Sequence, residues 1–448
     1  MDKEKPINSR LVARGYEENL SSSNIRVDSP TADKPLIKIF FAMLATFGWE
    51  SQSIDVKAAF LQGNPLDREV FLRPPKEAAN NEGTLWQLHK AVYGLGDASR
   101  VWYFTVKKCL LNSNCKQVKS NPAIFYWYAQ GQLNGIFVTH VDDFLYGGTK
   151  EFQNWVIKSV RNQFKIGSHE ARAFTYIGLN IQQNEDGIRM NQKSYLKTVQ
   201  PIEVPKSEKG RSDILDKRDS DNLRSVIGQL NWLGTQTRPD CSFDVLELST
   251  SLKQPVKDDV KRANKTLKKL KYEDCDILFP DLGEIKDLKL VVFSDASHAN
   301  LPDGVSSAGG FIIFLVGSNK RCCPLAWEAK KIRRVVKSTL AAETLSLVEA
   351  LDMAFYLGSI LSEILSIKIP IECQVDNKSL HENLHSTKNV TEKRLRIDLA
   401  SVKEMLQKGE VEDIKWVESA HQLSDCFTKR GVPAGKLLNI LNTGYFCI

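Results

Sequence analysis

From about residue 8 to residue 200, short apolar runs of strand character alternate with amphipathic stretches of helical period, a pattern that predicts an α+β core. Two of the strand-like runs end on acids, Ser53-Ile54-Asp55-Val56 and Val138-Thr139-His140-Val141-Asp142-Asp143. Residues 201 to 220 are polar, contain Pro201, Pro205 and Gly210, and read as a surface linker. Helical periodicity returns from Asn222 to Leu233 and from Phe243 to Lys271, and ends near Asp274. A second pattern starts at Asp287. Strands over Leu288 to Ser294, Gly309 to Val316 and Cys322 to Trp327 precede a long helix from Ser338 to Leu365. A strand from Pro370 to Asp376, helices up to Gly409, a strand from Val411 to Val417 and a short helix around Asp425 complete a β-β-β-α-β-α-β-α order.

At 448 residues and 42% hydrophobic, the chain can bury more than one core, which excludes a disordered tail and predicts several domains. The formal charge of +7 is a mild basic bias that permits a polyanionic partner without demanding one. Nine cysteines without a C-x-x-C pair predict reduced thiols and a cytoplasmic or nuclear setting, with Cys322 and Cys323 inside a strand. The polar start from Met1 to Arg10 has no apolar segment of a secretory signal. No later stretch approaches the roughly 18 to 20 uninterrupted apolar residues of a membrane span, so no membrane partner is expected.

The run Ile136 to Gly148 sets two apolar arms around Asp142-Asp143, as a tight hairpin with carboxylates at its tip would. An acidic pair is also an ordinary turn dipeptide. A third acid at the end of a strand, Asp55, changes the reading: such a set could hold two Mg2+ ions for in-line phosphoryl transfer, because adjacent carboxylates repel unless a cation neutralises them. In the second pattern Asp295 and Asp376 end strands, Glu343 lies on the long helix and Asp425 opens the last one. Acids at element ends can converge above a sheet. Each has a plain alternative as a turn, surface or helix-terminus residue. Glu343 is the informative one, since Leu340, Ala341, Ala342 and Leu345 surround it with apolar residues and an unpaired buried acid is costly.

Several ordered motifs carry a family resemblance: Arg10-Leu11-Val12-Ala13-Arg14-Gly15, Asp55-Val56-Lys57-Ala58-Ala59-Phe60-Leu61, Tyr93-Gly94-Leu95 with Arg100 and Trp102-Tyr103, and Val141-Asp142-Asp143. Together they resemble the reverse transcriptase of copia-type LTR retrotransposon Pol polyproteins. The resemblance implies Asp55, Asp142 and Asp143 as the catalytic, metal-holding triad, Arg10 and Arg14 as substrate contacts, and Phe60 as an aromatic steric gate against the ribose 2'-hydroxyl. Phe60 also reads as a core residue. Phe174-Thr175-Tyr176-Ile177-Gly178 resembles the primer grip, with Tyr176, Ile177 and Gly178 as substrate contacts, and reads equally as an edge hairpin. His140 and the run Gly96-Asp97-Ala98-Ser99 depart from the family pattern, and the Asp97 carboxylate is expected to repel an incoming triphosphate.

Downstream, Phe293-Ser294-Asp295-Ala296-Ser297, Ser338 to Glu343, Val375-Asp376-Asn377 and Leu423-Ser424-Asp425-Cys426-Phe427-Thr428-Lys429 resemble the active-site blocks of retrotransposon RNase H. Thr237-Arg238-Pro239-Asp240 is similar to the connecting region. This resemblance implies Asp295, Glu343, Asp376 and Asp425 as catalytic metal ligands, with His421 as a surface residue or an aid to product release. The implied architecture is an α+β polymerase palm and fingers over 8–200, with the fingers truncated at the N-terminus. A largely helical thumb or connection follows over 201–286. An α/β RNase H-like domain with a mixed five-stranded sheet spans 287–430, and a C-terminal tail 431–448.

The implied function is RNA-directed DNA synthesis with cleavage of RNA in RNA-DNA hybrids, using two Mg2+ per site, with Mn2+ as the alternative ion. The implied partners are an RNA template, a DNA primer, the hybrid, deoxynucleoside triphosphates, and other Pol or Gag products of the element, within a virus-like particle if the element is active. The competing readings are a retroelement relic that binds nucleic acid or protein without polymerase activity, and a chain with RNase H activity alone.

Overall fold

The computed structural model describes residues 10–18, 25–75, 77, 83–205, 213–386, 390 and 392–446. The chain divides into two compact units, Met1–Ala32 with Ser51–Ala171, and Asp33–Glu50 with Arg172–Ile448. These units cut across the boundary expected near residue 200: residues 33–50 and 172–200, read as polymerase, cluster with the C-terminal part of the chain.

The first unit is built on a six-stranded antiparallel sheet. Its strands are β1 (Gln52–Val56), β4 (Lys116–Gln117), β5 (Ile124–Ala129), β6 (Gln132–His140), β7 (Asp143–Gly148) and β8 (Ile166–Ala171), in the order β4-β5-β6-β7-β1-β8. A separate ribbon joins β2 (Phe71–Leu72) to β3 (Trp86–Gln87). One sheet face is apolar because alternate residues point the same way, which brings Ile54, Phe125, Phe137, Phe144 and Tyr146 together. Helix Ala98–Asn112 covers that face with Trp102, Val106, Cys109 and Leu110, which share one side of a 3.6-residue period. Full burial of each large apolar side chain contributes about 1.5–3 kcal/mol.

The second unit holds a four-stranded sheet, a helical block and a five-stranded sheet. The first comprises β9 (Ala173–Tyr176), β10 (Leu179–Asn184), β11 (Gly187–Asn191) and β12 (Ile277–Phe279), ordered β12-β11-β10-β9. Helices Lys217–Gln236, Ser242–Ser251 and Lys257–Tyr272 pack around Leu223, Leu230, Leu248, Val260 and Leu267. The helical run expected from Phe243 to Lys271 is therefore broken, and Pro255, which lacks an N–H and clashes with a preceding turn, lies in the break.

Strands β13 (Lys289–Ser297), β14 (Ala308–Val316), β15 (Cys322–Lys331), β16 (Ile371–Val375) and β17 (Asp413–Trp416) form a sheet ordered β15-β14-β13-β16-β17. It is mixed, as expected: β13 pairs antiparallel with β14 and parallel with β16, and β16 pairs parallel with β17.

Helix Thr339–Leu365 is, by length and composition, long and apolar enough to cross a membrane, contrary to the expectation that no segment is. It packs instead on β13 and β14, with Ala342, Leu351, Ala354, Leu357 and Leu361 fully buried. Residues 431–448, expected as a tail, contain helix Gly435–Thr443, whose Leu437, Ile440 and Leu441 join Phe293 and Phe314 in the core.

Candidate carboxylate sites

In the first unit, β6 and β7 meet at a two-residue turn, Val141-Asp142, with His140 paired to Asp143. Val141 has φ +58, a left-handed conformation unfavourable for a β-branched residue, and its carbonyl is held by the Trp102 Nε1 donor at 2.7 Å. Strand β1 runs beside β7 so that Asp55 faces Asp143, and the Val56 N–H donates to the Asp142 carbonyl at 3.1 Å. The hairpin and the neighbouring strand thus bring the three acids to one end of the sheet.

All three are half-buried. Burial and the charges of Asp142 and Asp55 push Asp143 up to about 6. Burial and Asp142 also raise Asp55, with Arg10 opposing them. The Arg10 guanidinium lies 4.3 Å from the Tyr93 ring centroid, and Phe60 packs against the other partner of this group with its ring 4.7 Å from Tyr93. Phe60 is half-buried and also touches the core around Val70 and Leu95. Arg14 is exposed and pairs with Glu17 at 3.3 Å.

Two features here were not read from sequence. Gly167 on β8 stands so close that a Cβ would come within 2.4 Å of Asp55 Oδ2. Asp97, expected to repel a triphosphate, is neutralised instead: Arg68 donates to both of its oxygens at 3.0 Å and also pairs with Glu18.

Tyr176, Ile177 and Gly178 belong to the second unit. Ile177 (φ +40) and Gly178 (φ +80) form the turn between β9 and β10, and the Tyr176 ring is buried. The expected hairpin is present there.

The second cluster lies at the end of the five-stranded sheet. Asp295 is on β13 and fully buried, Asp376 follows β16, and Asp425 sits in the 3-10 turn Leu423–Phe427 rather than opening an α-helix. One oxygen from each lies within 4.8 Å of the others. The turn is anchored by the Gln422 amide, which donates to the Ser294 carbonyl at 2.9 Å. Gly310 lets it approach β14, since a Cβ there would lie 2.5 Å from that of Phe427.

Glu343 is buried on helix Thr339–Leu365 and lies outside that closest trio. Its pKa is raised well above the ordinary value by burial and then by Asp295 and Asp376, while a hydrogen bond from Asn377 opposes the rise. Burial likewise raises Asp295, against the pull of Lys429.

Lys429, part of the motif but not singled out by it, is the resident counter-charge: Nζ lies 2.6 Å from Asp425 Oδ1 and 3.4 Å from Asp295 Oδ1. Burial alone would lower its pKa, and the two acids outweigh that and raise it. The Thr428 hydroxyl donates to Asp295, and that of Ser419 to Asp376 at 2.8 Å. His421 is exposed. Converging carboxylates partly shielded from water, with one ammonium among them, have the hard-oxygen donor chemistry that suits a divalent cation.

Residues 2–208 match the family of reverse transcriptases (RNA-dependent DNA polymerases). The chain is 25% identical over 444 residues to the retrovirus-related Pol polyprotein from transposon RE1 of Arabidopsis thaliana, covering 94% of this chain and 29% of that protein. It is 24% identical over 380 residues to the corresponding polyprotein from transposon TNT 1-94 of Nicotiana tabacum, covering 80% of this chain and 28% of the relative. It therefore spans less than a third of the length of these relatives.

Among solved structures, the protease-reverse transcriptase of prototype foamy virus is 12% identical with a TM-score of 0.22, covering 95% of this chain and 71% of that one. The N-terminal RNase H domain of a Mycobacterium tuberculosis protein is 18% identical with a TM-score of 0.23, covering 32% and 91%. Structural overlaps this slight carry no inference. By these sequence matches and the ordered motifs, the chain is similar to Pol polyproteins of copia-type retrotransposons, with the reverse transcriptase match lying in its N-terminal part.

Proposed function

We propose that the chain carries two separate phosphoryl-transfer sites: a DNA polymerase site at Asp55, Asp142 and Asp143, and a ribonuclease H site at Asp295, Glu343, Asp376 and Asp425. The observation that carries this reading is the gathering of six acids, spread over some 370 positions, into two clusters on the ends of two different sheets, with a seventh, Glu343, near enough to the second to feel the charges of Asp295 and Asp376. An isolated turn or helix-cap acid has no reason to be driven against others like it, because close like charges destabilise one another.

Each cluster would hold Mg2+ ions, with Mn2+ as a substitute. Bound there, they supply neutralisation of transition-state charge and activation of the attacking oxygen. In the polymerase site the chain's own residues prepare for this. The turn at Val141-Asp142 presents the acidic pair, β1 presents Asp55, and Asp143 must shed the proton that its neighbours encourage it to hold. Phe60, packed at a tilt against Tyr93, is the proposed gate beside the sugar of the incoming deoxynucleotide, and Arg10 the proposed contact for its triphosphate. Tyr176, Ile177 and Gly178 are the proposed primer grip, and Arg14 an outer electrostatic contact.

In the ribonuclease site Asp295, Asp376 and Asp425 are the proposed ligands, with Glu343 completing the set from the helix. The proposed substrates are an RNA template with a DNA primer and the resulting hybrid, handled in the cytoplasm or nucleus.

The test is direct: primer extension on an RNA template and cleavage of an RNA-DNA hybrid, each with Mg2+ and with chelator. Metal-dependent activity in both assays supports the reading. A folded chain with neither activity at any divalent-ion concentration would refute it and leave the relic interpretation.

A further inference from the structure

Helix Lys34–Phe47 buries almost every residue from Leu36 to Ala45, and one of them is charged. Lys38 stands between Ile37 and Ile39 and is only 2% exposed. A buried ammonium is costly unless an acid pairs with it, and among the described residues no carboxylate lies within ion-pair distance of this one. Its close neighbour is an aromatic face, the Trp327 ring, with Nζ 4.3 Å from the centroid. The indole is fixed in place by its own Nε1 donor, 2.7 Å from the Gly234 carbonyl. A cation over an indole recovers part of the desolvation cost and leaves the ammonium's hydrogen-bonding capacity unspent.

That capacity faces a space. Lys38 lines a cavity of about 440 Å³, within the size range of small-molecule sites. The wall is mixed. Val245, Leu325 and Met353 give apolar surface, Asn231 offers an amide, and Lys34 adds a second ammonium, partly offset by the Glu328 carboxylate. None of the seven carboxylates of the two proposed active sites lines it.

We propose that this cavity is a binding site for a small organic anion, a carboxylate or phosphate ester with a compact apolar body, whose charge pairs with Lys38. The anion would supply at contact distance the counter-charge that the protein offers only from Asp33, beyond ion-pair reach, and the apolar body would fill the side walled by Val245 and Leu325. Burial already weakens the hold of Lys38 on its proton, to a pKa of about 7, so a bound anion would restore the charged form.

The experiment titrates the full chain with benzoate and with phenyl phosphate by calorimetry, and repeats both with K38M, which keeps length and apolar bulk, and K38R, which keeps the charge. The expected result is saturable binding of at least one anion, about tenfold weaker in K38M and retained in K38R, the scale of losing one charge-assisted contact. Binding of benzoate alone assigns a carboxylate ligand, and of phenyl phosphate alone a phosphate ester. N231L, at the exposed edge of the cavity, serves as a second variant should K38M not fold, and is expected to weaken binding as well. Absence of binding of either anion, or equal binding to wild type and to the folded variants that lack these groups, would overturn the proposal.

Discussion

The two acid clusters meet the same electrostatic problem in opposite ways. In the first, three half-buried carboxylates share a sheet end and a strained turn, and the cation acting on Asp55 is Arg10, whose guanidinium rests on the Tyr93 ring. In the second, the acids are more deeply placed, and Lys429 bridges Asp425 and Asp295. The difference teaches that, under the proposed function, the first cluster would rely mainly on bound ions to relieve its repulsion, whereas the second carries a cation of its own that a bound ion would have to displace or outcompete.

Changes confined to one cluster should therefore have unlike consequences. Among substitutions that leave the acids themselves in place, the largest effect is expected from Gly167→Ala, which pushes a methyl into the space of Asp55 Oδ2. A displacement of about 1 Å at a reacting group costs on the order of 10²-fold in rate, so DNA synthesis should fall by that order. Hybrid cleavage and the melting temperature should change little. Equal loss of both activities in steady-state assays would show that Gly167 supports the fold and not the site.

Next in size is Phe60→Val. Removing the ring from its tilted contact with Tyr93 opens volume beside the proposed sugar position, and discrimination against ribonucleotides should drop by about tenfold or more. Competition between ribonucleotides and deoxynucleotides in primer extension reads this out, and unchanged preference would return Phe60 to core packing alone.

Lys429→Gln should act in the other direction and more mildly. With the resident ammonium gone, binding of Mn2+ followed by electron paramagnetic resonance should tighten several-fold at the second cluster, while the metal-free protein melts lower because its buried acids lose their counter-charge. Unchanged or weaker Mn2+ binding would mean that Lys429 does not compete with the ion.

The smallest effect is on pH dependence. Asp143 holds its proton up to about pH 6 in the folded protein, against an ordinary value of 3.8. Its contribution to stability is therefore full below pH 3.8 and lost as pH rises through 6. Metal-free protein should lose stability between about pH 4 and 6 by more than the Asp143→Asn variant does, as measured by denaturant titration.

How much of this was legible in the sequence depends on how far each contact reaches. The acids stood out because local pattern marks them: apolar arms around Asp142-Asp143, and an apolar helix around Glu343. The strand and helix order of the mixed sheet follows from periodicity, which is also local. The features that escaped depend on residues far apart in the chain. Gly167 matters because β8 lies against β1, Gly310 because the Asp425 turn docks on β14, and Arg68 because it reaches Asp97 from 29 positions away.

Helix Gly435–Thr443 is hard to see in the sequence because a nine-residue amphipathic segment carries little signal until the core it covers is known. Lys429 stands within a motif, but that it lies between two of the acids is a property of the folded turn.

The central claim is that the clusters are two independent active sites, and a pair of isosteric substitutions tests it most directly. Asp142→Asn and Glu343→Gln each remove one negative charge with almost no change in shape. Loss of a ligand that helps neutralise transition-state charge forfeits several kcal/mol, and each 1.4 kcal/mol or so is tenfold in rate, so the affected activity should fall by orders of magnitude. The account expects Asp142→Asn to abolish DNA synthesis while hybrid cleavage continues, and Glu343→Gln to do the reverse. Two folded variants that each lost both activities, or kept both, would contradict it.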